Sequence, residues 1–154
     1  IVMSAHNGLI SSGKALGGLE QMEGNYEVYG MAMPTEDPTT ARAFFEKLRT
    51  KYKAQVSYTS ACIMGMSQGL IVARAFEQAV KIKGVKDVKG EDVRAALLST
   101  PMPSERSFGV LPNIQYSKDA PFPTEGMAVN IGTVEKGHYK LLEQSVPVPV
   151  LSKW

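Results

Sequence analysis

Gly65-Met66-Ser67-Gln68-Gly69 has the GxSxG spacing that, in α/β-hydrolases, holds a nucleophilic serine on a sharp turn between strand and helix. Asp119 and His138 follow it in the serine, acid, histidine order of those enzymes, so Ser67 is the first candidate nucleophile and a serine esterase is the enzymatic alternative. The surroundings argue against it. An elbow needs a buried strand ending just before the serine, whereas Ser67 sits inside one helical apolar period, and Ser60-Ala61-Cys62 is a poor strand. The chain left after Ser67 is also short for the further parallel strands such a fold needs. His138, beside a predicted hairpin turn, reads as a solvated residue. There is no Walker A loop, no GxGxxG after a strand, no HExxH and no CxxC, and His6 and His138 lie too far apart for a local metal motif. Cys62 reads as a small hydrophobe on a helix, and the eight methionines are scattered as core fillers. No catalytic residue, metal or cofactor is expected.

The elements that must position these residues belong to a chain of 154 residues, 44% hydrophobic and 21% charged, which is one domain's mass with a core of its own. A net charge of +2 gives no reason to expect a nucleic-acid partner. No apolar run approaches the roughly 20 residues of a membrane-spanning helix. A single cysteine excludes an internal disulfide. The abrupt apolar start Ile1-Val2-Met3, without a charged n-region, suggests a piece cut from a longer parent.

Along the chain, Ile1 to Met3 reads as a strand end and Ser4-Ala5-His6-Asn7-Gly8 as a polar loop. A helix from Leu9 to about Gly24 follows, weakened by Gly13, Gly17 and Gly18 at about 1 kcal/mol each. Tyr26 to Met33 predicts a strand with Tyr26, Val28, Gly30 and Ala32 on one face and Glu27, Tyr29, Met31 and Met33 on the other. Asp37-Pro38 predicts the cap and first turn of a helix that buries Ala41, Phe44, Phe45, Leu48 and Tyr52. A longer helix is expected from about Tyr58 to Lys83, its small residues Ala61, Gly65, Gly69 and Ala73 leaving room for a close backbone neighbour. Gly90-Glu91-Asp92 opens another, with Val93, Ala96 and Leu97 inward. Extended pieces are expected at Phe108 to Leu111 and Ile114 to Tyr116, then a hairpin of Met127 to Val134 and His138 to Leu142 around Glu135-Lys136-Gly137. The alternating Val146-Pro147-Val148-Pro149-Val150 reads as an extended tail.

Several stretches, in this order, resemble the C-terminal portion of type I periplasmic solute-binding proteins of ABC transporters. They are the strand, polar loop and helix from Ile1 to Met22, Glu23-Gly24 entering the strand at Tyr26, Phe44 to Tyr52, Tyr58 with Gly65-Met66-Ser67-Gln68 and Ala75-Phe76-Glu77-Gln78-Ala79, and Lys89-Gly90-Glu91-Asp92-Val93-Arg94-Ala95-Ala96-Leu97. Phe108-Gly109, Ile114-Gln115-Tyr116-Ser117-Lys118-Asp119 and Val134-Glu135-Lys136-Gly137-His138-Tyr139 complete the set. The resemblance implies an α/β fold of Rossmann-like lobes, incomplete here, with 1–34 in a second lobe, 35–117 in a first, and 118–154 as hinge crossing, second-lobe hairpin and tail.

That resemblance also implies a function: the non-catalytic substrate-binding component of an ABC uptake system, taking a branched-chain amino acid, an amide or a carboxylate into a cleft. The implied partners are that small solute and a membrane permease, and the implied location is periplasmic or lipid-anchored at a Gram-positive surface. Ser4, His6 and Asn7, at the carboxyl end of a strand, and Tyr58 are the implied ligand contacts. Relatives place an acidic residue near His6; its absence here counts against an α-amino acid and favours a carboxylate or amide. A sensory receptor domain of the same fold is a further alternative, and surfaces left uncovered in a fragment predict a homo-oligomer.

Overall fold

A computed structural model describes residues 2–4, 8–119 and 126–149. In chain order these form β1 (Val2–Ser4), α1 (Leu9–Ala15), a 3-10 turn (Leu19–Met22), β2 (Tyr26–Tyr29), α2 (Thr40–Tyr52) and α3 (Ser60–Lys83). They continue with α4 (Gly90–Ser99), a second 3-10 turn (Ser104–Ser107), β3 (Ala128–Glu135) and β4 (His138–Pro147). The strands make a single four-stranded sheet in the order β1-β2-β3-β4. Only β1 and β2 run parallel, with Val2 opposite Tyr26. Strands β2 and β3, and β3 and β4, are antiparallel.

The expected Rossmann-like α/β lobes are therefore corrected. Among the described residues there is one mixed, mainly antiparallel sheet with helices, an α+β arrangement. The expectation failed because the strand–loop–helix–strand run of residues 2–29 is the one parallel unit, while the hairpin returns to pair with β2 antiparallel.

The hairpin forms where the sequence places it, though Glu135 joins β3 and leaves a two-residue turn, and β4 runs on to Pro147 into the expected tail. Lys136 and Gly137 both take positive φ, 53° and 73°, the left-handed pair that a two-residue turn matching strand twist requires. Glu23 grips this turn, its two carboxylate oxygens accepting from the Lys136 amide at 2.7 Å and the Gly137 amide at 3.2 Å. Thr133 Oγ1 donates to the Asn25 carbonyl at 2.8 Å and Asn130 Nδ2 to that of Met31 at 2.6 Å, so side chains reinforce the β2–β3 ladder at both ends.

Several boundaries moved for local reasons. The helix expected over Leu9 to Gly24 breaks after Ala15 into a separate 3-10 turn, because Gly17 and Gly18 sit where it would have to continue. Thr39, not Asp37, caps α2 by accepting from the Arg42 amide at 3.2 Å. Asp37 instead closes a turn with Thr35, whose hydroxyl donates to it at 2.8 Å. Tyr52, expected inward, is 67% exposed. Helix α3 starts at Ser60, capped by Thr59, whose hydroxyl accepts from Cys62. The piece expected to be extended at 108–111 is a turn, while Ile114 pairs with Met102 in an antiparallel bridge.

The core collects Leu9, Met22, Tyr29, Met33, Ile63, Val110, Ile114, Val134 and Tyr139 from sheet, helices and the 102–114 segment. Phe108 stacks on Phe44 with centroids 4.2 Å apart and receives the Arg74 guanidinium over its ring, 5.7 Å from the centroid. Glu77 accepts from both Arg74 and Arg106, and these cations hold its carboxyl below the usual range. The outer edge of α3 is different. Ala61, Gly65, Gly69 and Ala73 are exposed, and a methyl added at either glycine would meet nothing within 4 Å. The neighbour that their spacing leaves room for is absent among the described residues.

Candidate functional site

Strand β2 carries one acidic residue among apolar neighbours, and the sheet turns that face inward. Glu27 is fully buried, as is Tyr29 to within 3%, while Tyr26 on the opposite face is 43% exposed. A buried carboxyl group must find donors. Glu27 Oε2 accepts from the backbone amide of Leu9 at 3.2 Å, and Oε1 accepts from the Ser60 hydroxyl at 3.3 Å. Those donors are the first residues of α1 and α3. Helix α1 has glycine at its cap and no side-chain cap of its own, so an acid from the adjacent strand occupies the positive end of the helix.

Two tyrosines complete the cluster. Tyr29 donates from its hydroxyl to the Ser60 carbonyl at 3.5 Å. Tyr139, from β4, lies beside Glu27 with its hydroxyl enclosed and without a hydrogen bond of good geometry. Burial first, and then the neighbouring Glu27 carboxyl, pushes the Tyr139 phenol far above its ordinary range. Two glycines make the space: a methyl at Gly8 would meet Glu27 Oε1 at 2.6 Å and Ser60 Oγ at 2.9 Å, and one at Gly132 would collide with the Tyr139 ring and hydroxyl.

With no exposed surface, Glu27 cannot meet a substrate as base or nucleophile. It joins the start of α1, the start of α3 and the sheet. Through Leu9 it fixes the start of α1, while β1 pairs with the same strand β2. Sequence reasoning missed Glu27. A lone acid in an apolar strand, close in sequence to a helix whose cap position is glycine, was the available signal.

The sequence-predicted ligand contacts divide. Ser4 ends β1 at its carboxyl end, while His6 and Asn7 lie outside the described residues. Tyr58 precedes α3 by two positions. Its ring packs on Phe45 with centroids 5.1 Å apart and under the Arg42 guanidinium at 5.7 Å. The Tyr58 hydroxyl is enclosed without a hydrogen-bond partner, and burial pushes its phenol up to about 12.

The hydrolase constellation is not assembled. Ser67 is 3% exposed in the interior of α3, and its hydroxyl donates to the Met64 carbonyl of its own helix at 2.8 Å. His138 and Asp119 are exposed, and no hydrogen bond joins either to Ser67. Cys62 is half-buried on α3, where burial raises its thiol pKa and leaves it less reactive. Among the described residues no group of histidine, cysteine or acidic side chains could hold a metal ion.

Comparison with known proteins finds no matching family model and no matching curated protein. A solved structure described as an ABC transporter permease from the Pseudomonas fluorescens group is similar in fold, with a TM-score of 0.62. The match covers 95% of this chain and 36% of that one, at 14% sequence identity, so the chain spans about a third of that structure's length. The resemblance to type I solute-binding proteins is thereby corrected: no family model supports it, and the similar fold is that of a protein described as a permease.

Proposed function

We propose that this chain is an extramembrane part of an ABC transporter, acting in transport rather than in catalysis. The observation that carries this reading is the fold likeness over nearly the whole chain to a structure described as an ABC transporter permease. The burial of Ser67 in a helix supports it by removing the enzymatic alternative that the sequence raised. Among the described residues no helix is long and apolar enough to cross a membrane, so the segment would face water beside the bilayer, and a periplasmic position is part of the proposal.

No particular substrate is carried by this reading. Ser4, His6, Asn7 and Tyr58 remain the positions at which contact with a small polar solute would be sought, since Ser4 ends a parallel strand at its carboxyl end. The test is affinity purification of the native protein from solubilised membranes, with the co-purifying chains identified by mass spectrometry. An ABC ATPase and a membrane-spanning subunit recovered in fixed proportion are expected; their absence from a preparation that retains the tagged protein overturns the reading.

A further inference from the structure

The corner where α3 gives way to α4 combines two features that the fold does not require. Residues 81–94 read Lys-Ile-Lys-Gly-Val-Lys-Asp-Val-Lys-Gly-Glu-Asp-Val-Arg, placing five of the seventeen basic residues within fourteen positions. Between them Ile82 is 65% and Val85 68% exposed, among the barest large apolar side chains described. Lys81 and Lys83 have a local explanation, because cations in the last turn of a helix complement its negative end. That explanation does not reach Lys86 and Lys89, which lie beyond the helix, nor the two exposed aliphatic side chains.

The acidic residues of the corner are unequally placed. Asp92 is turned inward, its side chain 18% exposed, with one oxygen accepting from the Lys89 amide at 3.0 Å and the other 3.7 Å from Lys83 Nζ. Asp87 and Glu91 face water. The pairs Lys83–Asp92 and Lys81–Glu77, the latter at 3.9 Å, are surface contacts of small strength, so the ammonium groups remain available to a partner.

We propose that this corner docks on an anionic phospholipid surface, with Ile82 and Val85 entering the headgroup region and Lys81, Lys83, Lys86 and Lys89 facing lipid phosphates. Aliphatic side chains flanked by lysines match such a surface in both charge and polarity. An acidic protein would satisfy the lysines but would not need two protruding aliphatic groups beside them. The proposal goes beyond the ABC transporter reading, and its failure would leave that reading standing.

The experiment is flotation of the full chain with vesicles of phosphatidylcholine alone or mixed with phosphatidylglycerol, at low and high salt. Flotation is expected only with the anionic vesicles, and salt should reverse it. Lys86→Glu with Lys89→Glu should weaken it by more than the roughly fivefold expected from one lysine. Ile82→Ser with Val85→Ser should weaken it about tenfold. All four side chains are exposed, so circular dichroism should show unchanged folding. Lys47→Glu with Lys118→Glu changes net charge equally on other surfaces and should leave flotation intact. No flotation with anionic vesicles at low salt, or equal loss in this control pair, overturns the proposal.

Discussion

Glu27 and Ser67 are both polar, both buried and both tied to α3, yet they do opposite kinds of work. Ser67 spends its hydroxyl on a carbonyl three residues back in its own helix. Glu27 reaches residues 18 and 33 positions away and holds two helix starts against the sheet. A local bond can be lost without disturbing the arrangement of elements. A junction cannot, because removing the acceptor leaves buried donors at two separate places unsatisfied.

The strongest way to break this contrast is Glu27→Ala, which opens a cavity and strands the Leu9 amide and the Ser60 hydroxyl. We expect a loss of about 3 kcal/mol in urea unfolding, with Glu27→Gln losing roughly half as much. A loss under about 0.5 kcal/mol for the alanine variant would deny Glu27 its role. Next in size is Gly8→Ala, whose methyl would press on both Glu27 and Ser60. It should cost about 1 to 3 kcal/mol, and the cost should shrink when combined with Glu27→Ala, since the carboxyl group it displaces is then gone. Additive costs would show that Gly8 acts through something else.

Alkaline titration sharpens the same comparison at Tyr58. The phenol loses its proton near its ordinary pKa of 10 when unfolded, but only at about 12 when folded. Between those values the unfolded state binds fewer protons, so stability falls as pH rises, by about 1 to 2 kcal/mol from this group. Tyr58→Phe should flatten that part of the profile, leaving a shallower fall from Tyr29, Tyr116 and Tyr139, whose phenols are also raised. An unchanged profile would place the Tyr58 phenol in water. The smallest effect belongs to Ser67→Ala, expected within about 0.5 kcal/mol because alanine suits a helix interior and only a local bond is lost. The unaltered protein should also resist fluorophosphonate labelling; labelling lost in Ser67→Ala would overturn the non-catalytic reading.

Helices α2, α3 and α4 and the closing hairpin were legible because each rests on short-range signals, an apolar period, a glycine stop or a Gly-containing turn, although the cap of α2 was misplaced by two residues. The arrangement of the sheet was not. Whether β3 would lie parallel or antiparallel to β2 depends on a pairing across about a hundred residues, and Tyr26–Tyr29 carries no mark of it. Which face of β2 is buried was equally hidden, since apolar residues occupy both, and the buried face is the one bearing the acid. The start of α1 was legible, but the acid that holds it lies on a strand that pattern reading treats as a separate element. GxSxG stands in a helix here, as the unbroken apolar period around Ser67 indicated, because small residues at that spacing suit a helix edge as well as a nucleophile turn.

The order of the strands has a kinetic consequence. Neighbouring strands β2 and β3 are separated in sequence by all of α2, α3 and α4, so the sheet cannot be completed until the last fifth of the chain is available. The helical block can gather on local contacts, but its attachment to Glu27 and the Glu23 grip on the hairpin turn both close long loops. During synthesis β2 therefore leaves the ribosome with one edge unsatisfied and waits for β3, an interval in which that edge is open to pairing with another chain.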